Sequence, residues 1–342
     1  MPFIASKGDG KGVAPDPKGQ ENTFFMAPQG EGEWIAKANM PTARYGLCTT
    51  VVNGKIYAIG GGPNDNLVLS NVEEYDPIKD KWEIKSNMPQ EKAFLCASSV
   101  NGKIYVFGGY KGGFAYASVH EYDPALDKWT AKKDMPKGLY AISSCELDSK
   151  IYVMGGFTWA NNEGDVNVLY EYDPIENSWT ERANMPNKKH YVGACSVNGK
   201  IYVIGGAFGV AANRILFSTV EEYDPVTDTW ERKSDMPTAR AAFATCVIGT
   251  EIYAMGGTKA FDAGMTTVEI YDTLTDTWTK GVGMQISRYI FPASVVSGKI
   301  YAIGGVGGNA LSVVEEFDPG FISKSVDPSG KLPKTWGTIK AK

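Results

Sequence analysis

A chain of 342 residues with 43% hydrophobic side chains is long enough to bury a large core without help from disulfides or metals. Its 39 glycines and 18 prolines, with little helix-period patterning, describe a turn-rich globular protein rather than a disordered or fibrous one. A net charge of −5 argues against general nucleic-acid binding, and no apolar stretch approaches the roughly 18 residues of a membrane-spanning helix.

Residues 1–32 begin MPFIASKGDGKGVAPDPKGQ, rich in Gly, Pro and Lys and without the apolar core of a secretory signal, and are expected to form a flexible leader. A cytoplasmic location is expected, or secretion if that leader is the remnant of a trimmed signal. From residue 33 the chain repeats. Segments of the GKIYAIGG type start at Gly54, Gly102, Ser149, Gly199, Thr250 and Gly298, and their glycine pairs begin at Gly60, Gly108, Gly155, Gly205, Gly256 and Gly304, a period of 47 to 51 residues. A VEEYDP-like segment follows each, with its aromatic at Tyr75, Tyr122, Tyr172, Tyr223, Tyr271 and Phe317. Seven residues after the first five of these stand Trp82, Trp129, Trp179, Trp230 and Trp278, and a methionine comes six residues later.

The glycine pair and the spaced Tyr and Trp resemble the kelch repeat, and the resemblance covers about residues 33–319. It implies an all-β fold: a six-bladed kelch-type β-propeller with four antiparallel strands, a to d, in each blade. The residues support this independently. Both alternating faces of Ile-Tyr-Ala-Ile are apolar, as a strand requires when its sheet is covered on both sides. The Asp-Pro-x-x-Asp stretches and Asn53-Gly54 are turn signals. After Phe317 no tryptophan occupies the expected position, whereas Trp34 stands six residues before Met40 with no a, b or c strand ahead of it. Residues 33–39 are therefore expected to supply the outer strand of the last blade and close the ring. The tail, 320–342, is expected to pack on or beside that blade, and its Trp336 is the competitor for the closing place.

In this topology the b-to-c loops and the d-to-a junctions share one face, and the b-to-c loops vary most, as binding loops do. Four residues after each methionine stand Arg44, Lys92, Leu139, Lys189, Arg240 and Arg288, followed by Tyr45, Ala93, Tyr140, His190, Ala241 and Tyr289. The expectation is a basic and aromatic funnel mouth that draws in an anionic ligand. Top-face arginines of animal kelch adaptor proteins receive acidic peptide segments, and the resemblance carries that role to Arg44, Arg240 and Arg288. The competing expectation is that the basic residues pair with Glu74, Glu121, Glu171, Glu222 and Glu316 and hold the blades together. Most loop aromatics, among them Tyr110, Phe114, Tyr116, Phe157, Phe208 and Phe217, are expected to anchor their loops, whereas Trp159 is expected at the surface.

Catalytic chemistry finds little support. Cys48, Cys96, Cys145, Cys195 and Cys246 recur one per repeat on one strand face and read as free, buried thiols. The two histidines, His120 on a c strand and His190 at an a strand, are expected far apart, and neither a metal site nor a cofactor is expected. Copper oxidases of galactose-oxidase type and iron-dependent specifier proteins are also kelch propellers, but their ligand sets are not matched here. A six-bladed sugar-acid mutarotase is the enzymatic alternative; Arg44, Arg240 or Arg288 would hold the carboxylate and His190 or a loop acid such as Glu163 would move the proton. The preferred reading is a monomeric binding module for a protein, an acidic peptide or an acidic carbohydrate, engaged by Arg44, Tyr45, Lys92, Tyr140, Trp159, Lys189, His190, Arg240, Arg288 and Tyr289. A structural module of a larger assembly is the third reading.

Overall fold

The structure is a computed structural model that describes residues 32–64, 66–160, 163–210 and 213–320. Six four-stranded antiparallel sheets account for almost all of its regular structure. Blade 1 takes its strands a to d from Cys48–Val52, Lys55–Ile59, Val72–Asp76 and Lys81–Lys85, and blades 2 to 5 repeat the order. Each a–b hairpin turns tightly: Asn53 and Gly54 both lie in the left-handed region, at φ 51° and 73°, the geometry that suits the twist of the flanking strands.

Blade 6 is composite. Its strands a to c are Ala293–Val296, Lys299–Ile303 and Val314–Phe317, and its outer strand is Trp34–Lys37, paired antiparallel so that Trp34 lies opposite Phe317. The two rings stack at 5.1 Å. The expected closing strand is thus the one observed; Trp336, residues 1–31 of the leader and the tail beyond Gly320 lie outside the described residues.

The inner strands form a ring, with Cys48–Val52 touching both Cys96–Val100 and Ala293–Val296. The core lies between blades. Tyr57, Ile59 and Val72 of blade 1 pack against Ile104, Val106 and Tyr122 of blade 2, and Ile56, Ala58 and Tyr75 pack on the other side against Tyr301, Ile303 and Val314 of blade 6. This explains why the b strand is apolar on both faces. All five cysteines are free and buried in the strand-a layer; burial pushes the Cys96 and Cys246 thiols up to about 12.

Three rings of hydrogen bonds fasten adjacent blades. At the rim, each d-strand tryptophan donates its indole N–H to a carbonyl of the preceding blade, as Trp82 does to Ala38 at 2.9 Å and Trp34 to Val282 at 2.9 Å. Nearer the axis, the second glycine of every pair donates its amide to the carbonyl four residues past the next methionine, as Gly61 does to Lys92 at 2.9 Å. The first glycine leaves no room for a side chain there: a Cβ on Gly60 would stand 2.6 Å from that same carbonyl oxygen. The third ring surrounds the channel and is described below.

Candidate functional site

The recurrent basic residues do not line the mouth. Arg44, Lys92, Lys189, Arg240 and Arg288 have no solvent exposure at all, so the expectation of a basic funnel is corrected. Each d-to-a junction bends inward beneath the glycine pair, and the side chain at this position is turned into its own blade. Arg44 donates to the Gly60 carbonyl at 2.8 Å, to the Asn71 carbonyl at 3.2 Å and to Glu73 at 2.7 Å. Arg240 and Arg288 repeat this with Glu269 and Glu315, and Lys189 bonds Glu221 at 2.6 Å.

Their partners are not those expected from sequence either. Glu74 and Glu316 lie one residue further along strand c, on the opposite face, where they accept from the hydroxyls of Tyr57 and Tyr301. A one-residue step along a strand reverses the face. The true partner position holds Glu73, His120, Tyr170, Glu221, Glu269 and Glu315. Wherever it is Glu, the junction residue is Arg or Lys; opposite Tyr170 it is the apolar Leu139. Blade 2 alone keeps a buried cation without an acid: Lys92 donates to the Ser118 hydroxyl at 2.7 Å and to its carbonyl at 3.2 Å. Burial without a carboxylate lowers the pKa of Lys92 to about 8 and, aided by Lys92, that of His120 to about 4.

The mouth itself is built by the next two residues of each junction. Gly46, Phe94, Ala141, Tyr191, Ala242 and Ile290 all take left-handed φ values, between 51° and 62°. Their peptide groups form a closed circle: Phe94 donates to Gly46, Ala141 to Phe94, Tyr191 to Ala141, Ala242 to Tyr191, Ile290 to Ala242 and Gly46 to Ile290, at 2.7 to 3.3 Å. Non-glycine residues are costly in this conformation and persist where their surroundings enforce it. The circle frames an axial cavity of about 180 Å³ lined by all six inner strands.

Around the circle runs an arc of aromatic rings. Phe94 contacts Tyr45, Tyr110, Tyr140 and Tyr191, with centroids 6.0 to 6.4 Å apart. Tyr140 meets Phe157 at 5.6 Å, and Phe157 meets Trp159 at 4.7 Å and His190 at 5.8 Å. Tyr191 reaches Phe261 at 5.6 Å, and Phe261 reaches Tyr289 at 6.2 Å. Tyr45, Phe94 and Tyr110, with Asn64, Asn66 and Val68, also line a side pocket of about 320 Å³. Tyr45, Tyr140 and Tyr289 are therefore where the sequence places them, and Trp159 is 51% exposed as expected. Phe114 and Phe208 are exposed rather than anchoring.

Among the described residues, several polar groups of this face are already paired. His190 is buried, and its Nδ1 is bonded to Asp165, whose other oxygen accepts the Gly209 amide at 2.8 Å. That carboxylate ties the loop of blade 3 to the junction and loop of blade 4. Lys137 holds both oxygens of Glu163, at 2.7 and 2.9 Å, and Lys111 is paired with Glu91. Arg214, in the loop of blade 4, lays its guanidinium over Phe261 of blade 5 at 3.9 Å. Neither the Asp165–His190 pair nor the Arg214–Phe261 stack has a signal in the repeat, because each joins residues of two different loops. His120 lies on a c strand against Trp129, and His190 lies at the blade 4 junction opposite Ala207. Among the described residues no three His, Cys, Asp or Glu side chains are grouped as a metal ion would require.

No curated protein matches this chain. Solved structures resemble it, among them one titled "Structure of YjhT", at 17% identity and a TM-score of 0.69 over 81% of this chain and 95% of that one; at such identity the likeness carries the fold alone. A family profile described as the KLHDC2/KLHL20/DRC7 Kelch-repeats domain matches residues 32–181 and 96–305. With six glycine-paired blades and a profile match over most of its length, the chain belongs to the kelch-repeat family of β-propellers.

Proposed function

We propose that this propeller is a binding module that receives a segment of a partner protein, or another ligand with an anionic group, on the aromatic mouth of its channel. The observation that carries the reading is the arc from Tyr45 to Tyr289. Apart from the buried Phe157 these rings are partly buried or exposed, and rings side by side on one face, framed by variable loops, offer contact area at little cost in side-chain entropy. The buried cations beneath them are already neutralised by glutamates in four blades, so the attraction of the mouth rests on rings and on peripheral charge.

The test is a thermal-shift screen against acidic peptides, acidic sugars and neutral sugars, run with a Tyr45→Ala, Tyr140→Ala and Tyr289→Ala triple variant. A ligand at about a hundred times its dissociation constant adds roughly 2.7 kcal/mol. The expected result is a shift in the parent that is lost in the variant; a shift of equal size in both would place the site elsewhere.

One observation favours a second reading, the sugar-acid mutarotase. His190, oriented by Asp165, is joined to Arg214 through the rings of Tyr191 and Phe261, at 5.1, 5.6 and 3.9 Å. A proton-handling imidazole and a carboxylate-binding guanidinium are the two groups that such a reaction uses. Anomer exchange of a sugar acid followed by proton NMR, faster with the parent than with His190→Gln, is the result that this reading requires.

A further inference from the structure

We infer that the anion-receiving group of the mouth is Arg214, off the channel axis, and that the chemical group it takes is a carboxylate lying edge-on to a guanidinium stacked on Phe261. This deepens the binding reading and rests on it. The chain has six arginines. Five carry a carboxylate: Arg44, Arg182, Arg232, Arg240 and Arg288 are bonded to Glu73, Glu171, Asp235, Glu269 and Glu315. Among the described residues Arg214 has no ion pair and no hydrogen bond, and its Nε is buried with no partner.

The geometry says which edge is open. Stacking at 3.9 Å covers one face of the guanidinium and the Nε is buried, which leaves the two Nη groups for a ligand. The stack stands at the mouth, since Phe261 touches the rings of both Tyr191 and Tyr289, and Tyr191 lines the axial cavity. A partly buried cation loses hydration that the ring restores only in part. A planar anion restores the rest, because a carboxylate can take two parallel N–H donors at once. Of the lysines in the loops of this face, Lys111 and Lys137 are already paired. The carboxylate could belong to a peptide or to a small acid, and two probes separate them.

Isothermal titration of the full chain with an acetylated tetraglutamate peptide and with glucuronate, for the parent, Arg214→Ala, Arg214→Lys and the triple tyrosine variant, tests the inference. The expected result is that the probe which binds the parent binds Arg214→Ala roughly tenfold or more weakly, as the loss of a charge-assisted pair implies. Arg214→Lys recovers only part, since lysine keeps the charge without the fork. An unchanged melting temperature in Arg214→Ala excludes misfolding. Binding of neither probe to the parent, or equal binding to parent and Arg214→Ala, overturns the inference. In the second case, loss of binding in the tyrosine variant leaves the mouth reading standing, and retention there sinks both.

Discussion

The main-chain carbonyl of Arg44 accepts the amide of Gly305 at 2.9 Å, joining the first blade to the sixth by the bond that joins every other adjacent pair. The guanidinium of the same residue is spent inside its own blade, on the Gly60 carbonyl and Glu73. This position therefore fastens a blade to its neighbour through the main chain in all six blades, and in four of them it also fastens the blade internally through a cation–glutamate pair. That is why the basic residue recurs, and why its recurrence says little about ligands.

If Arg240 is a fastener, removing it alone leaves Glu269 as an uncompensated buried charge. Arg240→Met is expected to cost about 3 to 5 kcal/mol, and the Arg240→Met, Glu269→Leu double variant to recover most of it. Urea denaturation of the four species of the cycle checks this, and a double variant no better than the single one counts against the pairing.

Lys92 gives a prediction with a sign. Its pKa is lowered in the folded state to about 8 from an ordinary 10.5, so between these values the unfolded chain binds more protons than the native one, and stability rises with pH. Lys92→Met has no such group, and Leu139 shows that the fold accepts an apolar side chain at this position. The stability of the parent relative to Lys92→Met is expected to improve by about 3 kcal/mol across this window, one pKa unit being worth about 1.4 kcal/mol. Denaturant midpoints at pH 7, 9 and 10.5 measure it, and a difference that does not move with pH refutes the assignment.

Trp34 closes the ring through three contacts: its stack on Phe317, its bond to Val282 at 2.9 Å, and its carbonyl, which accepts from Gln285 at 2.6 Å. It is 2% exposed. Trp34→Ala is expected to cost about 3 to 5 kcal/mol, whereas the same change at Trp159, half exposed at the mouth, is expected to alter stability by no more than about 0.5 kcal/mol. Equal melting temperatures for the two variants would contradict the closure described here.

The fold was legible because each feature that builds a blade is local and repeated: the glycine pair, the tyrosine and tryptophan seven apart, and the turn residues. Closure was legible for the same reason, since Trp34 is the missing member of a counted series. The site was legible only in part. Spacing located Arg44, Arg240 and Arg288 but not their burial, because a junction that bends beneath the glycine pair carries no pattern of its own. The choice between Glu73 and Glu74 turned on strand register, which two adjacent glutamates leave open. Arg214 with Phe261, and His190 with Asp165, depart from the repeat and meet across loops, so no periodicity could bring them together.

The account separates fastening residues from receiving ones, and one comparison tests this most directly: the affinity for whichever probe binds the parent, tetraglutamate peptide or glucuronate, measured on Arg240→Met, Glu269→Leu and on Tyr140→Ala. The account predicts that the first variant keeps the affinity of the parent although its buried ion pair is gone, and that the second loses affinity while melting at the temperature of the parent. A folded Arg240→Met, Glu269→Leu protein that no longer binds, beside a Tyr140→Ala protein that does, would return the site to the basic ring and contradict the account.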